Sequence, residues 1–187
     1  MHMMKLPWLR LSFIALLVAS AGCAENSSTM LQPALKSGLQ KGDDIVPWNP
    51  IHVAGPNKGT NACPVCTYLA LPAVQIFAKD GPDVPVLASR LEKLVIDQQG
   101  RKLKGFLIVL DSTPARLKEM ADDLKISRIG ICYPDPATRE HDLNEYKLNP
   151  AASNTVIVYA DYKVTANFVN VDAGTFDRVE AAVANLP

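Results

Sequence analysis

The residues with the clearest capacity for chemistry are two cysteines, Cys63 and Cys66, which are separated by Pro64 and Val65. Two thiols at this spacing can close a small disulfide, react as a dithiol, or share one metal ion, and the proline between them stiffens the loop. The pattern therefore leaves three alternatives open: a reactive dithiol, a structural disulfide that clips the loop, and a metal site.

A metal site needs ligands beyond these two thiols. His52 is a candidate, because imidazole together with soft sulfur suits Zn or Cu(I). The Cys-Pro-x-Cys turn resembles half of a zinc ribbon, but the sequence contains no second CxxC and no HxxxH to supply the other half. His141 lies far along the chain and is interpreted as a surface residue. We therefore predict no bound metal and no other cofactor.

The first 22 residues have the pattern of an export signal. Lys5 and Arg10 precede an apolar run at residues 11–19, and that run is about half of the roughly 20 residues that a membrane-spanning helix needs. The run is followed by Ala-Ser-Ala-Gly-Cys23, in which Ser20 stands where a bacterial lipobox usually has leucine. We favour a lipoprotein signal with acylation of Cys23 over simple secretion. Either interpretation places the mature protein outside the cytoplasm, in the periplasm or cell envelope, and acylation anchors it to a membrane.

Composition and charge define the rest of the chain. Residues 23–44 are rich in Ser, Asn, Gln, Gly and Lys and are predicted to be a flexible tether, with one domain over residues 45–187. The 19 basic side chains balance 19 acidic ones with no basic stripe, which argues against nucleic acid as a partner.

In an exported protein, Cys63 and Cys66 are oxidised by default. Cys132 is interpreted as a small buried hydrophobe, with pairing to another thiol as the alternative.

Apolar runs and helical spacing predict the elements that must position these cysteines. Strands are expected at residues 51–54, 73–78, 106–110, 129–132, 155–159 and 164–171. One helix is expected after Asp83 as its N-cap, and another is expected to open at Thr113-Pro114. A short polar helix is expected between residues 136 and 146, and a last helix is expected over residues 176–186. Strands separated by helices must pair in parallel, and the final hairpin adds an antiparallel edge. The order predicts an α/β domain with a mixed sheet.

This order, the CxxC and the stretch Phe106-Leu-Ile-Val-Leu-Asp-Ser-Thr-Pro114 before a helix resemble the thioredoxin-like superfamily. Within it, the chain is similar to the branch of peroxiredoxins and alkyl hydroperoxide reductase/thiol-specific antioxidant proteins. Tyr133-Pro-Asp-Pro136 resembles that family's acidic turn, and the strands around residues 155–171 resemble its final hairpin. The resemblance covers residues 45–187 and implies a three-layer fold, a mixed β-sheet with helices on both faces.

The sequence departs from this family at three positions. The loop at residues 78–83, where the family has its reactive cysteine, contains none, so peroxidase activity is not expected. Asn154 stands where the family has a cis-proline. The CxxC precedes the strand at residues 73–78 instead of following it, which predicts a site near the end of that strand opposite to the family's active site.

The resemblance implies a thiol-disulfide redox role in which Cys63 attacks and Cys66 resolves, with an unidentified protein thiol or disulfide as partner. The alternative is a redox-inactive module that binds a partner or stabilises the cell envelope, with Cys63 and Cys66 as a structural disulfide. A metal-handling protein is a third possibility.

Overall fold

The computed structural model describes residues 34–186. The predicted export signal at residues 1–22 and the predicted acylation site Cys23 lie outside the described residues. Residues 34–186 lie in one compact unit. Among the described residues, no helix has the length and the apolar character needed to span a membrane.

Six strands form one mixed sheet. They are β1 (Ile51–Ala54), β2 (Ala73–Ala78), β3 (Lys104–Val109), β4 (Gly130–Tyr133), β5 (Asn154–Ala160) and β6 (Lys163–Val169). Their order across the sheet is β1-β4-β3-β2-β5-β6. β2, β3 and β4 run parallel, whereas β1 is antiparallel to β4, and β5 is antiparallel to both β2 and β6. The predicted mixed sheet with a terminal hairpin is confirmed.

Within residues 34–186, five α-helices cover the sheet on both faces. They are α1 (Pro64–Tyr68), α2 (Asp83–Asp97), α3 (Pro114–Asp123), α4 (Arg139–Glu145) and α5 (Asp177–Ala184). Residues of α2, α3 and α5 share one apolar core, while α1 and the residue that ends α4, Tyr146, belong to a second core on the opposite face. The predicted three-layer arrangement is therefore confirmed.

The elements form where apolar spacing fits their periods. Leu87 and Leu91 lie one turn apart on α2 and are buried completely against the sheet. β3 is buried on both faces, as its uninterrupted apolar run predicts for a central strand. α3 starts at Pro114, and the side-chain oxygen of Thr113 accepts a hydrogen bond from the Arg116 amide at 3.3 Å, which caps the helix.

The second core contains an aromatic cluster of Trp48, Phe77 and Tyr146, whose ring centroids lie 4.7 to 5.6 Å apart. Tyr146 also donates a hydrogen bond from its hydroxyl to the carbonyl of Val46 at 2.7 Å. These contacts fasten the chain that leads into β1 to the same face of the sheet on which Cys63 is buried.

Residues 34–44, which were expected to belong to the tether, pack on the domain instead. Leu39 is only 2% exposed. Asn167 in β6 donates its side-chain amide to the carbonyls of Ser37 and Leu39 at 2.9 and 2.8 Å. The packed domain thus begins near Ala34 and not at residue 45, because one buried leucine and a set of specific polar contacts hold a segment whose overall composition is polar.

Candidate functional site

Cys63 and Cys66 form a disulfide at the start of α1. Cys63 is the N-cap of the helix, and the backbone amide of Cys66 donates a hydrogen bond to its Sγ at 3.0 Å. Cys63 is 7% exposed and belongs to the second core, whereas Cys66 faces solvent. The two sulfurs of this disulfide therefore have different surroundings.

The local sequence explains why α1 is short. Pro64 occupies the first helical position, where its fixed φ favours a helix and its missing amide costs nothing. The helix ends at Leu69, which has a positive φ of 56° and is 58% exposed. Proline at position 72 follows closely and does not permit the helix to continue. The single turn is thus fixed at both ends.

The disulfide lies at the end of the sheet at which the central strands β2 and β3 begin. Lys104, the first residue of β3, donates its amide to the carbonyl of Pro72 at 2.9 Å, and its Nζ lies 4.9 Å from the ring centroid of Tyr68 at the end of α1. The turn between β5 and β6 meets the same region, since Asp161 donates its amide to the carbonyl of Ala70. The predicted displacement of the CxxC to this end of the strand is confirmed.

A buried pair formed by His52 and Cys132 lies on the same face of the sheet as Cys63. The two residues oppose each other across the β1 and β4 register. The Nε2 of His52 lies 2.9 Å from the carbonyl of Ala62, which can only accept, so this nitrogen carries the proton. The other nitrogen, Nδ1, then accepts from the thiol of Cys132 at 3.1 Å. His52 therefore ties the residue before Cys63 to the sheet.

Burial keeps both members of this pair neutral. Desolvation lowers the pKa of His52, and desolvation raises the pKa of Cys132 well above its ordinary value. Cys132 is a free, fully buried thiol, as expected from the sequence, but its partner was not expected. His52 had been considered only as a metal ligand, and its contact with Cys132 follows from the register of β1 on β4.

No group of three or more His, Cys, Asp or Glu side chains within residues 34–186 is arranged to hold a metal ion. The sulfurs of Cys63 and Cys66 are bonded to each other, and both ring nitrogens of His52 have other partners. The three residues weighed as metal ligands are thus not brought together as a set.

The other end of the strands, where β2 finishes, contains an ion pair. It lies at the loop of residues 78–83, where the family has its reactive cysteine. Arg116 donates to the carboxylate of Asp80 from Nε at 2.6 Å and from Nη2 at 3.1 Å, and Ser112 donates to it at 2.8 Å. The hydrogen bond from Arg116 is the main reason that the pKa of Asp80 is lowered. Asn154 begins β5 at this end and binds both main-chain groups of Val171 at 2.8 Å. Asp80, Arg116 and Asn154 thus form hydrogen bonds within the fold.

Comparison with known proteins adds evidence on the fold. No protein-family model matches the sequence, and no curated protein is significantly similar to it. Solved structures do match. A provisionally assigned thiol:disulfide interchange protein DsbE from Chlorobium tepidum is 11% identical with a TM-score of 0.63, covering 78% of this chain and 96% of that one. The peroxidoxin BcpB from Mycobacterium tuberculosis is 16% identical with a TM-score of 0.62, covering 80% and 99%.

The fold is thioredoxin-like. A PrxQ mutant from Xylella fastidiosa, 11% identical with a TM-score of 0.59 over 80% of this chain and 98% of that one, supports the same conclusion. The resemblance to the thioredoxin-like superfamily that was stated from the sequence is thus confirmed at the level of the fold. Because function belongs to the site and not to the fold, the activity must be argued from Cys63 and Cys66.

Proposed function

We propose that this thioredoxin-like chain is an exported protein of the periplasm or cell envelope that exchanges disulfides with a protein partner through Cys63 and Cys66. The observation that carries the proposal is a formed disulfide in which one partner, Cys66, is an exposed residue. A partner thiolate can reach such a bond, whereas a disulfide buried on both sides is inert.

The hydrogen bond from the Cys66 amide to Cys63 Sγ supports a reactive pair. When the disulfide opens, this donor stabilises the negative charge on Cys63, since a hydrogen bond to the charged form of an acid favours that form. The exchange itself is balanced: a partner dithiol becomes a disulfide as the Cys63–Cys66 bond is reduced, with transfer of two electrons and two protons. The likeness of the fold to a protein named for thiol:disulfide interchange agrees with this role.

The second candidate is a redox-inactive module in which the disulfide only clips α1. Two observations favour it: Cys63 packs in the second core, and the disulfide lies at the edge of the sheet opposite to the loop at residues 78–83. In that case the bond serves the stability of the loop, and the chain acts through a binding surface.

The reduction potential separates the two candidates. The full chain is equilibrated with glutathione buffers of graded ratio, and the free thiols are trapped with a maleimide and resolved by mass. We expect an exchangeable disulfide, with a potential above the roughly −300 mV below which structural disulfides lie. Cys132→Ser serves as the matched control, because its thiol is buried and outside the disulfide. A potential below that limit, with insulin reduction no faster than by a free thiol, would favour the redox-inactive module.

A further inference from the structure

The two sulfurs of the disulfide differ in the direction from which they can be approached. Cys63 is 7% exposed and packs in the second core, together with Val65 and Phe106, whereas Cys66 faces solvent. We infer that Cys66, and not Cys63, is the sulfur that forms the mixed disulfide with the partner. This inference rests on the proposed function and reverses the order of roles that the family resemblance implies.

The direction of attack supports this assignment. A thiolate displaces one sulfur of a disulfide from another along the line of the two sulfurs, so it must arrive on the side away from the leaving sulfur. Cys66 is an exposed residue, whereas Cys63 is 7% exposed and belongs to the second core, so an attacking thiolate meets less protein on its way to Cys66 than to Cys63. Because rates of exchange depend on which sulfur is accessible, attack at Cys66 is favoured.

The leaving group supports the same order. Attack at Cys66 releases Cys63 as a thiolate, and the Cys66 amide at 3.0 Å already donates to that sulfur. A lower pKa makes a thiol a better leaving group in exchange. Attack at Cys63 would instead release Cys66, and no hydrogen bond to the Cys66 sulfur occurs among the described residues.

The position of Cys63 is fixed by a neighbour that does not touch the disulfide. His52 donates from Nε2 to the carbonyl of Ala62, and the amide of Thr67 donates to the carbonyl of Cys63 at 2.9 Å. Cys63 is thus held between the sheet and α1, as a resolving sulfur must be. Leu69, which follows α1 three residues after Cys66, is exposed, so the surface near Cys66 includes an apolar side chain.

The steps balance in either direction. In oxidation of a partner dithiol, a partner thiolate bonds to Cys66 Sγ as the Cys63–Cys66 bond breaks and Cys63 leaves as a thiolate. The second partner thiolate then attacks the partner sulfur of the mixed disulfide and releases Cys66. In reduction of a partner disulfide, the Cys66 thiolate attacks one partner sulfur and the other partner sulfur leaves as a thiolate. The Cys63 thiolate then attacks Cys66 Sγ, which re-forms the Cys63–Cys66 bond and releases the second partner thiolate.

Single-thiol variants of the full chain test the order. In a Cys23→Ser, Cys132→Ser background, Cys63→Ser leaves only the Cys66 thiol and Cys66→Ser leaves only the Cys63 thiol. Each is mixed with 5,5′-dithiobis(2-nitrobenzoate), and the released thionitrobenzoate is followed. We expect the Cys66 thiol to form the mixed disulfide more than about tenfold faster than the Cys63 thiol, because only the former is accessible. Circular dichroism checks that both variants are folded.

A second measurement needs no substitution. The oxidised wild-type chain is mixed briefly with reduced glutathione, quenched with acid and digested, and tandem mass spectrometry locates the attached glutathione. We expect it on Cys66. Glutathione on Cys63, or a Cys63 thiol that reacts as fast as the Cys66 thiol, would overturn the order while leaving the proposed exchange intact. If neither thiol forms a mixed disulfide and the wild-type bond resists glutathione, both the order and the proposed function fail.

Discussion

His52 forms hydrogen bonds to Ala62 and Cys132 that only its neutral form can make together. Protonation would place a hydrogen on Nδ1, where the Cys132 thiol already donates. Independently of these hydrogen bonds, burial lowers the pKa of His52 below its usual 6.5, because the charged ring would be desolvated. The side chain that binds the carbonyl of Ala62, the residue before Cys63, is therefore sensitive to acid.

We expect this pair to make stability depend on pH. The unfolded chain binds a proton at His52 near pH 6.5, while the folded chain binds it only at a lower pH. The free energy of unfolding therefore falls as the pH decreases below 6.5 and levels off below the folded pKa. His52→Gln should lower stability at pH 8 by about 1 to 3 kcal/mol through lost hydrogen bonds, and should flatten the fall between pH 7 and pH 5. Urea unfolding across this range measures both effects.

His141→Gln is the matched control, because His141 lies exposed on α4 and should leave the wild-type pH profile unchanged. The lowered pKa of Asp80 does not interfere, since its stabilising contribution is lost only below pH 3.8. A His52→Gln chain with the wild-type slope between pH 7 and pH 5 would contradict the assignment.

Sequence reasoning identified Cys63 and Cys66 but did not distinguish between them. Spacing shows that two thiols can meet, whereas burial of one sulfur depends on how α1 packs against β3, which residues far along the chain decide. The same limit applies to His52 and Cys132. Their pairing is set by the register of β1 on β4, and no local pattern encodes a register between distant strands.

At the scale of elements, the segments of the sheet and its helices were predictable, whereas the packing of residues 34–44 was not. β3 and α2 lie close to their predicted positions, because a buried strand and an amphipathic helix each require a distinctive pattern. Residues 34–44 have no such pattern, so a tether was expected. Their attachment depends on Leu39 and on side chains in β5 and β6 that only the folded sheet brings near.

Glycine substitutions test whether this segment is packed. Gly38 has a φ of +81°, and a Cβ there would lie 2.6 Å from Thr155 Cγ2 and 2.9 Å from Asn167 Nδ2. Gly38→Ala should therefore lower the free energy of unfolding by about 2 to 4 kcal/mol, from backbone strain plus overpacking. Denaturant unfolding monitored by Trp fluorescence measures the change.

Gly42→Ala is the control within the same segment. Gly42 has a φ of +94°, but nothing lies within 4 Å of the Cβ position, so only the backbone strain of roughly 1 to 2 kcal/mol is expected. Equal losses in the two variants would show that the segment around Gly38 is not packed as the structure describes.

At the scale of the whole molecule, the export signal and the acylation of Cys23 remain predictions about where the domain works. We expect the full chain, expressed in a bacterium with lipoprotein processing, to fractionate with membranes and to begin at an acylated Cys23. Cys23→Ser should shift the protein away from the membrane fraction, since the acyl chains supply the anchor. Intact-mass measurement decides the matter: an unmodified Cys23 or a retained Met1 would refute the anchor.

The segment before β1 also covers the beginning of β6, the strand at one edge of the sheet. Val164 in β6 donates its amide to the carbonyl of Asp43 at 3.0 Å and accepts from the Gly42 amide at 2.8 Å, and Ile45 donates to the carbonyl of Tyr162 at 2.9 Å. An uncovered edge strand offers its main chain to strands of other molecules and so promotes aggregation. Chains crowded side by side on a bilayer would be especially exposed to that hazard. By occupying these groups, the covering segment hinders growth of the sheet from one molecule into the next.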